Sequence, residues 1–499
     1  MLKKIRLIVS VTFFALLSLY FLDFAELLPV NLTLLTKVQL VPALLALNTV
    51  VLIALLLFTL IFGRVYCSSI CPMGVYQDTM SWIAKKRKKN KRYAFARAKT
   101  ALRWTILGAT LLSFLLGFTF LLGLLDPYGA YGRMATHVFR PAYFAGNNLL
   151  EHIFSSFGNY TFYKVSVYGL SVFSTIVALL TMLVIGFLAW KNGRVYCNTI
   201  CPVGTLLGVF SRFALFKIQF SKSHCNACGL CAGKCKASCI DVENMCIDYS
   251  RCVVCFNCVD SCKKNAIKYH FFNVTKKKKS DTIPAYAFQK NTPMESRRRF
   301  LSATLLTGLA AGNIVARNVF PKKEVNPKIP IVPPGALSLD HLREKCIACH
   351  LCVSKCPSHV IKPAFLEHGI GGMMQPKLYF ENGFCNYTCT VCTDVCPSGA
   401  LIPLTKAIKK RTQIGQAHFV IENCLVYYNE TNCGACSEHC PTQAIQMVSY
   451  KNALSIPHIA TEKCVGCGGC EYVCPAMPHK AIYVEGVETQ NRISLNDKE

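Results

Sequence analysis

Cysteine spacing constrains this chain more than any other feature. The 499-residue sequence contains 30 cysteines: 24 fall into six groups of four, four fall into two Cys-x3-Cys-Pro motifs, and two remain outside any group. Disulfide frameworks are typical of short secreted chains, whereas regular Cys-x2-Cys-x2-Cys-x3-Cys runs are typical of iron–sulfur ligands. We therefore expect metal clusters, not disulfides, to organise the fold.

The first two regular runs predict a bacterial two-cluster ferredoxin, in which the fourth cysteine of each run ligates the other cluster. The expected ligand sets are Cys225, Cys228, Cys231 and Cys262 for one [4Fe–4S] cluster and Cys252, Cys255, Cys258 and Cys235 for the second. Lys236 and Lys263 stand where this pattern usually has proline, and a cation there is expected to raise a cluster's potential. We expect the remaining thiols, Cys239 and Cys246, to be buried and free.

Four further runs, each ending in Cys-Pro, follow in the last third of the chain and predict four more [4Fe–4S] clusters. Their cysteines are Cys346, Cys349, Cys352 and Cys356; Cys385, Cys389, Cys392 and Cys396; Cys424, Cys433, Cys436 and Cys440; and Cys464, Cys467, Cys470 and Cys474. Two runs are regular and two irregular, which favours pairing of the first with the fourth and the second with the third. Residues 443–448 and 480–484 have the pattern of small flanking strands.

The first 200 residues predict membrane spans. Four apolar stretches approach the ~20 residues needed to cross a bilayer, at 5–28, 40–62, 101–125 and 167–190. The net charge of +29 would suit a nucleic-acid-binding protein, but the lysines and arginines crowd beside the apolar stretches, above all at 85–92. That loop belongs in the cytoplasm, so the 126–166 loop is expected outside, and no nucleic-acid partner is expected.

An internal repeat links two of these spans. Gly-Arg-Val-Tyr-Cys-x-x-Ile-Cys-Pro-x-Gly occurs at 63–74 and again at 193–204. Such a repeat predicts two similar helical units that bring Cys67, Cys71, Cys197 and Cys201 together. These thiols have four possible roles: a shared cluster, a redox dithiol, a structural role at helix caps, or a weaker option, zinc.

A basic segment divides the chain. Ser-Arg-Arg-Arg-Phe-Leu at 296–301 precedes a short Gly- and Ala-rich run to 316, which has the form of a twin-arginine export signal, or alternatively of a plain anchor. We expect a membrane α-helical protein (four spans plus this signal-anchor-like helix) with small α+β ferredoxin domains. The predicted domains are 1–216, membrane; 217–270, cytoplasmic ferredoxin; 271–295, linker; 296–316, signal-anchor helix; 317–340, Pro-rich linker holding the last domain off the membrane; and 341–490, four-cluster ferredoxin.

Two families share these motifs. Residues 1–270 resemble the NapH family, with four spans, two Cys-x3-Cys-Pro motifs and a two-cluster ferredoxin; residues 296–485 resemble the NapG family, with an export signal and a four-cluster ferredoxin. The resemblance implies a quinol dehydrogenase module that feeds periplasmic nitrate reductase in the bacterial inner membrane. It implies as partners the lipid bilayer, the quinol pool and a periplasmic cytochrome or reductase.

One-electron relay through six [4Fe–4S] clusters, with a further cluster at the Cys-x3-Cys-Pro motifs as an option, is the function that we expect. A quinol gives up protons with its electrons, so the entry site needs a proton acceptor. The candidates are Asp23, Glu26, Asp126, His137 and His152. Two alternatives stay open: a redox-sensing or maturation factor for a partner metalloenzyme, and a relay with both ferredoxins cytoplasmic.

Overall fold

A computed structural model describes residues 1–23, 27–87, 93–221, 224–271 and 327–494. The twin-arginine-like segment, most of the preceding linker and Glu26 lie outside these described residues, so the expectations for them stay predictions.

Residues 1–215 form a helical unit. Its helices are α1 Leu2–Leu22, α2 Thr33–Lys37, α3 Leu40–Leu45, α4 Thr49–Phe62, α5 Val65–Ser69, α6 Pro72–Arg87, α7 Thr100–Leu115, α8 Thr119–Leu125, α9 Pro127–Met134, α10 Arg140–Ser156, α11 Val172–Asn192 and α12 Pro202–Ser211, with π-helical turns at Ala135–Phe139 and Tyr196–Ile200. The 126–166 segment, expected to be a loop, is therefore largely helical.

The expectation of four spans is wrong for the described residues. Two helices, α1 and α11, are long and apolar enough to cross a membrane; α4 and α7 are apolar but shorter. The second expected span is divided into α3 and α4, and the third into α7 and α8. The hydrophobic pattern continues through both breaks, so hydropathy alone does not reveal them.

Each break has a local cause. Leu47 takes a left-handed φ of 53°, and Asn48 then caps α4 by accepting a hydrogen bond from Val51 N at 3.2 Å. Gly117, at φ 79°, ends α7 in the conformation that glycine adopts without steric cost. Both breaks lie against the C-terminal domain, because Ala46 contacts Gly399 and Phe118 contacts Gly371. Tertiary contact and capping together shorten these two helices.

The first ferredoxin unit has the small two-fold architecture that its cysteine runs predict. Its elements are β1 Phe216–Phe220, α13 Leu230–Lys234, β2 Ile240–Asp241, β3 Cys246–Ile247, α14 Asn257–Ser261 and β4 Ile267–Phe271. β1 pairs antiparallel with β4, with Phe216 opposite Phe271, and β2 pairs with β3. The buried core contains Cys231, Cys235, Cys252 and Cys258, whereas Cys225 is half-buried and Cys228 is exposed.

The C-terminal unit repeats this small scale. Its elements are α15 Leu339–Lys345, α16 Leu351–Ser354, β5 Ile361–Pro363, β6 Pro376–Leu378, α17 Val391–Val395, α18 Lys406–Arg411, β7 Gly415–Phe419, α19 Leu425–Tyr428, α20 Ala435–Glu438, β8 Ile445–Ser449, β9 Ser455–Ile459, α21 Gly469–Val473 and β10 Ile482–Gly486. The sheets are antiparallel pairs of β5 with β6, β7 with β10 and β8 with β9. β8 and β10 confirm the two predicted strands.

The Pro-rich segment is not a spacer over its described part. Val332 and Ala336 are fully buried in the C-terminal core, and Leu378 N donates to Ile331 O at 2.8 Å. From residue 327 onward the expected linker is part of the C-terminal unit, and the expectation that the linker holds this domain off the membrane stays a prediction. The domain lies directly against the helices.

Helix α1 has one ferredoxin unit at each end. Lys3, near its start, pairs with Asp260 of the first unit at 2.6 Å, and Asp23, just past its end, pairs with Lys355 of the C-terminal unit at 2.7 Å. A 21-residue helix is about 31 Å long at 1.5 Å per residue. The two ferredoxin units are therefore separated by roughly that length of helix.

Helix α11 has the same arrangement in reverse. Phe173, at its start, packs edge-on against Phe365 of the C-terminal unit, with ring centroids 4.9 Å apart. Past its end, Arg194 N donates to Lys236 O of the first ferredoxin unit at 2.9 Å. Both long apolar helices thus run from one ferredoxin unit to the other.

Candidate metal centres

The two Cys-x3-Cys-Pro motifs meet at the centre of the helical unit. Cys67, Cys71, Cys197 and Cys201, which we call the motif cysteines, are each only 3–4% exposed and lie within electrostatic range of one another. The second cysteine of each motif precedes a proline that begins α6 or α12. The repeat therefore brings its four thiols together, as the sequence predicts.

Glycine at the end of each motif permits this close approach. A side chain at Gly74 would overlap the carbonyl oxygen of Cys67, and one at Gly204 would overlap that of Cys197. Each helix that follows a motif therefore packs its first turn against the backbone of its own first cysteine, which only glycine allows.

Two buried arginines cross between the repeats. Arg64 Nη2 donates to Cys197 O at 3.3 Å, and Arg194 Nη1 donates to Cys67 O at 2.7 Å, so each arginine holds the opposite motif. Both side chains are fully buried. Arg194 also pairs with Asp78 at 2.8 Å, which neutralises its charge.

Arg64 has no such carboxylate in the described part of the chain. It donates to Asn198 Oδ1 and Ser250 O, both at 3.0 Å, and its Nη2 lies 3.9 Å from Cys67 Sγ. A buried, permanently charged guanidinium needs a counter-charge nearby. The motif cysteines, as thiolates, are the groups that can supply it.

Two N–H donors also point at motif sulfurs. Gly204 N lies 3.3 Å from Cys201 Sγ, and Gln77 Nε2 lies 3.0 Å from Cys197 Sγ. Hydrogen bonds to thiolate sulfur and a nearby cation are the features by which proteins stabilise anionic iron–sulfur centres. Among the described residues, no three His, Cys, Asp or Glu side chains converge on a single ion position. The donors around the motif cysteines fit an anionic cluster.

The first ferredoxin unit encloses one of its predicted ligand sets. Cys235, Cys252, Cys255 and Cys258, which we call the proximal group, line a single cavity. In the other set, Cys231 lies near Cys225 and Cys228. Of the two left-over thiols, Cys239 is buried as expected, whereas Cys246 is exposed at the edge strand β3, so that prediction is wrong.

Lys236 has a structural role that the sequence does not reveal. Its ammonium lies 3.3 Å from Asp78 Oδ1, and its carbonyl accepts from Arg194 N. Proline at this position would lack the ammonium that makes the ion pair. Lys236 thus shares the single negative charge of Asp78 with Arg194 and Arg6, and Lys263 is exposed.

Cysteines of the C-terminal unit pair by neighbouring runs, and the expected first-with-fourth pairing is wrong. The first and second runs exchange their last cysteines: Cys396 lies within electrostatic range of the first run's three leading thiols, and Cys356 lines one cavity with the second run's leading thiols. The third and fourth runs do the same: Cys440 lies near the fourth run's leading thiols, and Cys474 lies near the third run's leading thiols. The groups are group 1, Cys346, Cys349, Cys352 and Cys396; group 2, Cys385, Cys389, Cys392 and Cys356; group 3, Cys464, Cys467, Cys470 and Cys440; and group 4, Cys424, Cys433, Cys436 and Cys474.

These groups stand in a row. Groups 1 and 2 are adjacent because they are formed by the same two runs. Group 2 contacts group 3, since Cys385 N donates to Cys467 O at 2.9 Å. Group 3 contacts group 4, since Cys470 lies within electrostatic range of Cys436. Group 1 faces the helical unit and group 4 is farthest along the row.

Group 1 is held against the helices by a buried arginine. Arg133 Nη1 donates to Ala348 O at 3.2 Å, while its Nη2 donates to Gly123 O at 3.0 Å within the helical unit. A side chain at Gly132 would overlap Cys349 O. Cys349 therefore sits directly on α9, in the same buried apolar cluster that contains the four motif cysteines and Cys255.

The candidate proton acceptors occupy very different positions. Asp23 accepts hydrogen bonds from Lys355 Nζ and from the N–H of Leu27. Burial alone would raise the Asp23 pKa, but these hydrogen bonds hold the pKa below its usual range. Asp126 is buried and caps α9 by accepting from Gly129 N at 2.6 Å, whereas His152 is exposed on α10. Burial raises the pKa of Asp126 to about 7, whereas Asp23 is held in its ion pair with Lys355.

His137 is placed differently. Its Nε2 lies 2.7 Å from Nδ1 of His350, which no sequence motif marks as functional, although it follows Cys349. His350 Nε2 lies 2.8 Å from Met374 O; a carbonyl only accepts, so this nitrogen carries the proton and His137 Nε2 must donate. Thr175 Oγ1 gives its single proton to Ser171 O at 2.9 Å rather than to His137 Nδ1 at 3.4 Å. His137 Nδ1 is thus left weakly engaged, and burial lowers the pKa of the ring to about 4.

Cysteine groups of this spacing on small antiparallel units define an iron–sulfur protein of ferredoxin type. The 4Fe-4S binding domain family Fer4_5 matches residues 44–90 and 174–221, which contain the two Cys-x3-Cys-Pro motifs. The 4Fe-4S dicluster domain family Fer4_7 matches residues 345–400 and 431–477, each spanning two neighbouring runs wholly or in part.

Relatives narrow the class. The methylamine utilization ferredoxin-type protein MauM of Methylobacillus flagellatus is 31% identical over 187 residues, 36% of this chain and 79% of that protein. The ferredoxin-type protein NapG of Escherichia coli is 32% identical over 198 residues, 36% of this chain and 82% of that protein. An uncharacterized protein of Methanocaldococcus jannaschii is 36% identical over 115 residues, 23% of this chain and 43% of its own length. No solved structure matches.

The chain belongs to the family of ferredoxin-type iron–sulfur electron-transfer proteins that includes NapG and MauM. For the helical part, the match reaches only as far as a 4Fe-4S binding domain, and the likeness to NapH is carried by the repeated motifs.

Proposed function

We propose that this protein is a membrane-bound electron relay that oxidises a quinol and delivers electrons through six [4Fe–4S] clusters to a periplasmic redox partner. A seventh centre, held by the motif cysteines, joins the two ferredoxin units. The single observation that carries the proposal is the buried apolar cluster that contains Cys255, the four motif cysteines and Cys349. It makes one continuous path of predicted ligands from the first ferredoxin unit to group 1.

Placement of the ferredoxin units favours transfer across a bilayer. They contact opposite ends of α1 and α11, whose length of about 31 Å matches a hydrocarbon core of roughly 30 Å. Large apolar side chains on these helices are open to the surroundings, among them Ile8 at 65% and Leu183 at 62% exposure. Basic residues Lys85, Lys86 and Arg87 end α6 near the first ferredoxin unit, which favours that side as cytoplasmic.

Bound clusters would supply one-electron transfer, and the chain's own residues would supply the rest. The cysteines would bind the clusters. Arg64 and Arg194 hold the two motifs in register and place positive charge beside the motif sulfurs. Apolar burial excludes water from the path. His137 Nδ1 accepts a proton from the quinol hydroxyl, since it is a buried candidate with a weakly engaged lone pair and a hydrogen bond to His350, next to Cys349 of group 1.

Menaquinol and ubiquinol added anaerobically to the cluster-loaded protein in nanodiscs test this proposal. We expect reduction of the clusters, followed by EPR, and a rate about 100-fold lower in His137→Gln, the scale typical of losing a general base. His152→Gln is the matched control, because His152 is exposed on the neighbouring helix α10, and we expect it to leave the rate unchanged.

Clusters that stay oxidised with every quinol would overturn quinol oxidation and favour a redox-sensing or maturation role for a partner metalloenzyme. Equal rates in His137→Gln and wild type would instead remove His137 from the entry site.

A further inference from the structure

Cys239 is not an isolated thiol, because it lines the same cavity as the proximal group. Its side chain is 1% exposed, and its Sγ lies 3.6 Å from that of Cys235. Cys252, on the opposite run, is also within hydrogen-bonding range of Cys239. Five sulfurs therefore surround a site for which a [4Fe–4S] cluster requires four.

The backbone around Cys239 is fixed. It lies next to β2, where Ile240 pairs with Ile247, and its carbonyl accepts from Asp248 N at 2.9 Å. Ser238, just before it, takes a left-handed φ of 50° that turns the chain back toward the cavity. Cys239 is therefore held where its sulfur and that of Cys235 reach the same place.

The second run provides an internal comparison. Cys262 is the counterpart of Cys235, and the same left-handed turn follows it, with Asn265 at φ 52°. Four residues after Cys262 the chain has Ala266, 2% exposed, at the position equivalent to Cys239. A methyl group satisfies the packing at this position, so packing alone does not require the thiol of Cys239.

A disulfide does not explain the pair either. The 3.6 Å between the sulfurs is van der Waals contact, far longer than the ~2.05 Å of a disulfide bond. The remaining role for a fifth sulfur at this distance is coordination of the same iron.

We propose that Cys239 is an alternative fourth ligand of the proximal cluster, so that either Cys235 or Cys239 completes its set. The exchange balances without any electron: the bond from iron to Cys235 sulfur breaks and that sulfur takes up a proton, while the Cys239 thiol gives up its proton and bonds to the same iron. The inference rests on the proposed [4Fe–4S] cluster in this unit and extends it by one interchangeable ligand.

Iron and acid-labile sulfide analysis of the full-length, cluster-loaded chain, with EPR, tests this inference. We expect Cys235→Ala and Cys239→Ala each to keep wild-type iron content, and the double variant to lose between one iron and a whole cluster. Cys262 has alanine, not cysteine, four residues further on, so Cys262→Ala should lose iron as a single variant, and adding Ala266→Cys should restore the iron. Restored iron would show that an alternative ligand also works in the second run, which naturally lacks one.

Loss of iron in Cys235→Ala equal to that in the double variant overturns the inference, as does a Cys235–Cys239 disulfide found by mass spectrometry of the alkylated, cluster-loaded protein. Iron in the C-terminal unit serves as the internal control for folding. Failure of the underlying assignment looks different: Cys252→Ala would then leave the iron content unchanged.

Discussion

Replacing Asp78 by asparagine removes a carboxylate that joins three separate parts of the chain. Asp78 lies 3.2 Å from Arg6 of α1, 2.8 Å from Arg194 of the second motif and 3.3 Å from Lys236 of the first ferredoxin unit. The three cations are between 0% and 13% exposed in their side chains. Asparagine has the same shape and leaves all three cations without this counter-charge, although Arg6 and Arg194 keep hydrogen bonds to the carbonyl oxygens of Ser68 and Cys67.

The magnitude follows from this geometry. At an effective dielectric constant of 20, one unit-charge pair at 4 Å attracts by about 4 kcal/mol, and desolvation offsets much of that attraction. Breaking one buried pair from one side typically costs about 3–5 kcal/mol. Because asparagine can still accept one hydrogen bond, we expect a loss of about 3 kcal/mol, which lowers Tm by roughly 6–12 °C for a unit of 150–250 residues.

Thermal unfolding in detergent, followed by the visible absorbance of the clusters, measures this loss. Burial alone would raise the Asp78 pKa, but Arg194, Lys236 and Arg6 hold the pKa well below its usual value of 3.8. The carboxylate's contribution is therefore complete above pH 3.8 and is lost only as the pH falls through the lower, folded-state pKa. We expect the same Tm difference at pH 8 and pH 5.

The matched control is Asp260→Asn. Asp260, like Asp78, pairs with a cation of α1, here Lys3, but both partners of this pair are exposed. We expect no measurable change in Tm for this variant. A Tm of Asp78→Asn within 2 °C of wild type, or a difference that disappears between pH 8 and pH 5, would refute the reasoning.

Two further predictions concern the motif and the pairing of runs. Gly204→Ala should lower the free energy of unfolding by about 1–3 kcal/mol, because the new methyl group overlaps the backbone of its own motif. Gly108→Ala on α7, which has open space around it, should raise the free energy of unfolding by about 0.5–1 kcal/mol. Equal shifts in the unfolding midpoint of the two variants would contradict this prediction. Cys356→Ala should expose the second run's thiols to alkylation in mass spectrometry, and Cys474→Ala those of the third run. If Cys356→Ala instead exposed the fourth run and Cys474→Ala the first run, the first run would pair with the fourth, as the spacing had predicted.

Local features of this protein are readable from sequence, and features set by distant contacts are not. The Cys-x2-Cys spacing fixes which cysteines of one run converge, so Cys252, Cys255 and Cys258 around one cavity are predictable. Which run supplies the fourth cysteine depends on how the runs pack in space. Regularity of spacing was the wrong guide, and neighbouring runs pair instead.

The same division explains the helices. Hydropathy detects apolar stretches, but the ends of α3 and α7 are set by Leu47 and Gly117, and by contact with a domain about 300 residues further along the chain. Lys236 illustrates the third kind of miss. As a departure from the ferredoxin pattern it looked like a cluster modifier, yet its partner Asp78 lies on another unit and no local signal points to it.

If the motif cysteines connect the two ferredoxin units electrically, electrons should cross a liposome membrane through this protein. The chain is oriented in proteoliposomes with a membrane-impermeant reductant on the first ferredoxin's side and an impermeant oxidant on the other. We predict steady electron transfer in wild type and in Cys246→Ala, and its loss in Cys71→Ala/Cys201→Ala although both ferredoxin units keep their iron. Undiminished transfer in that double variant would contradict the account.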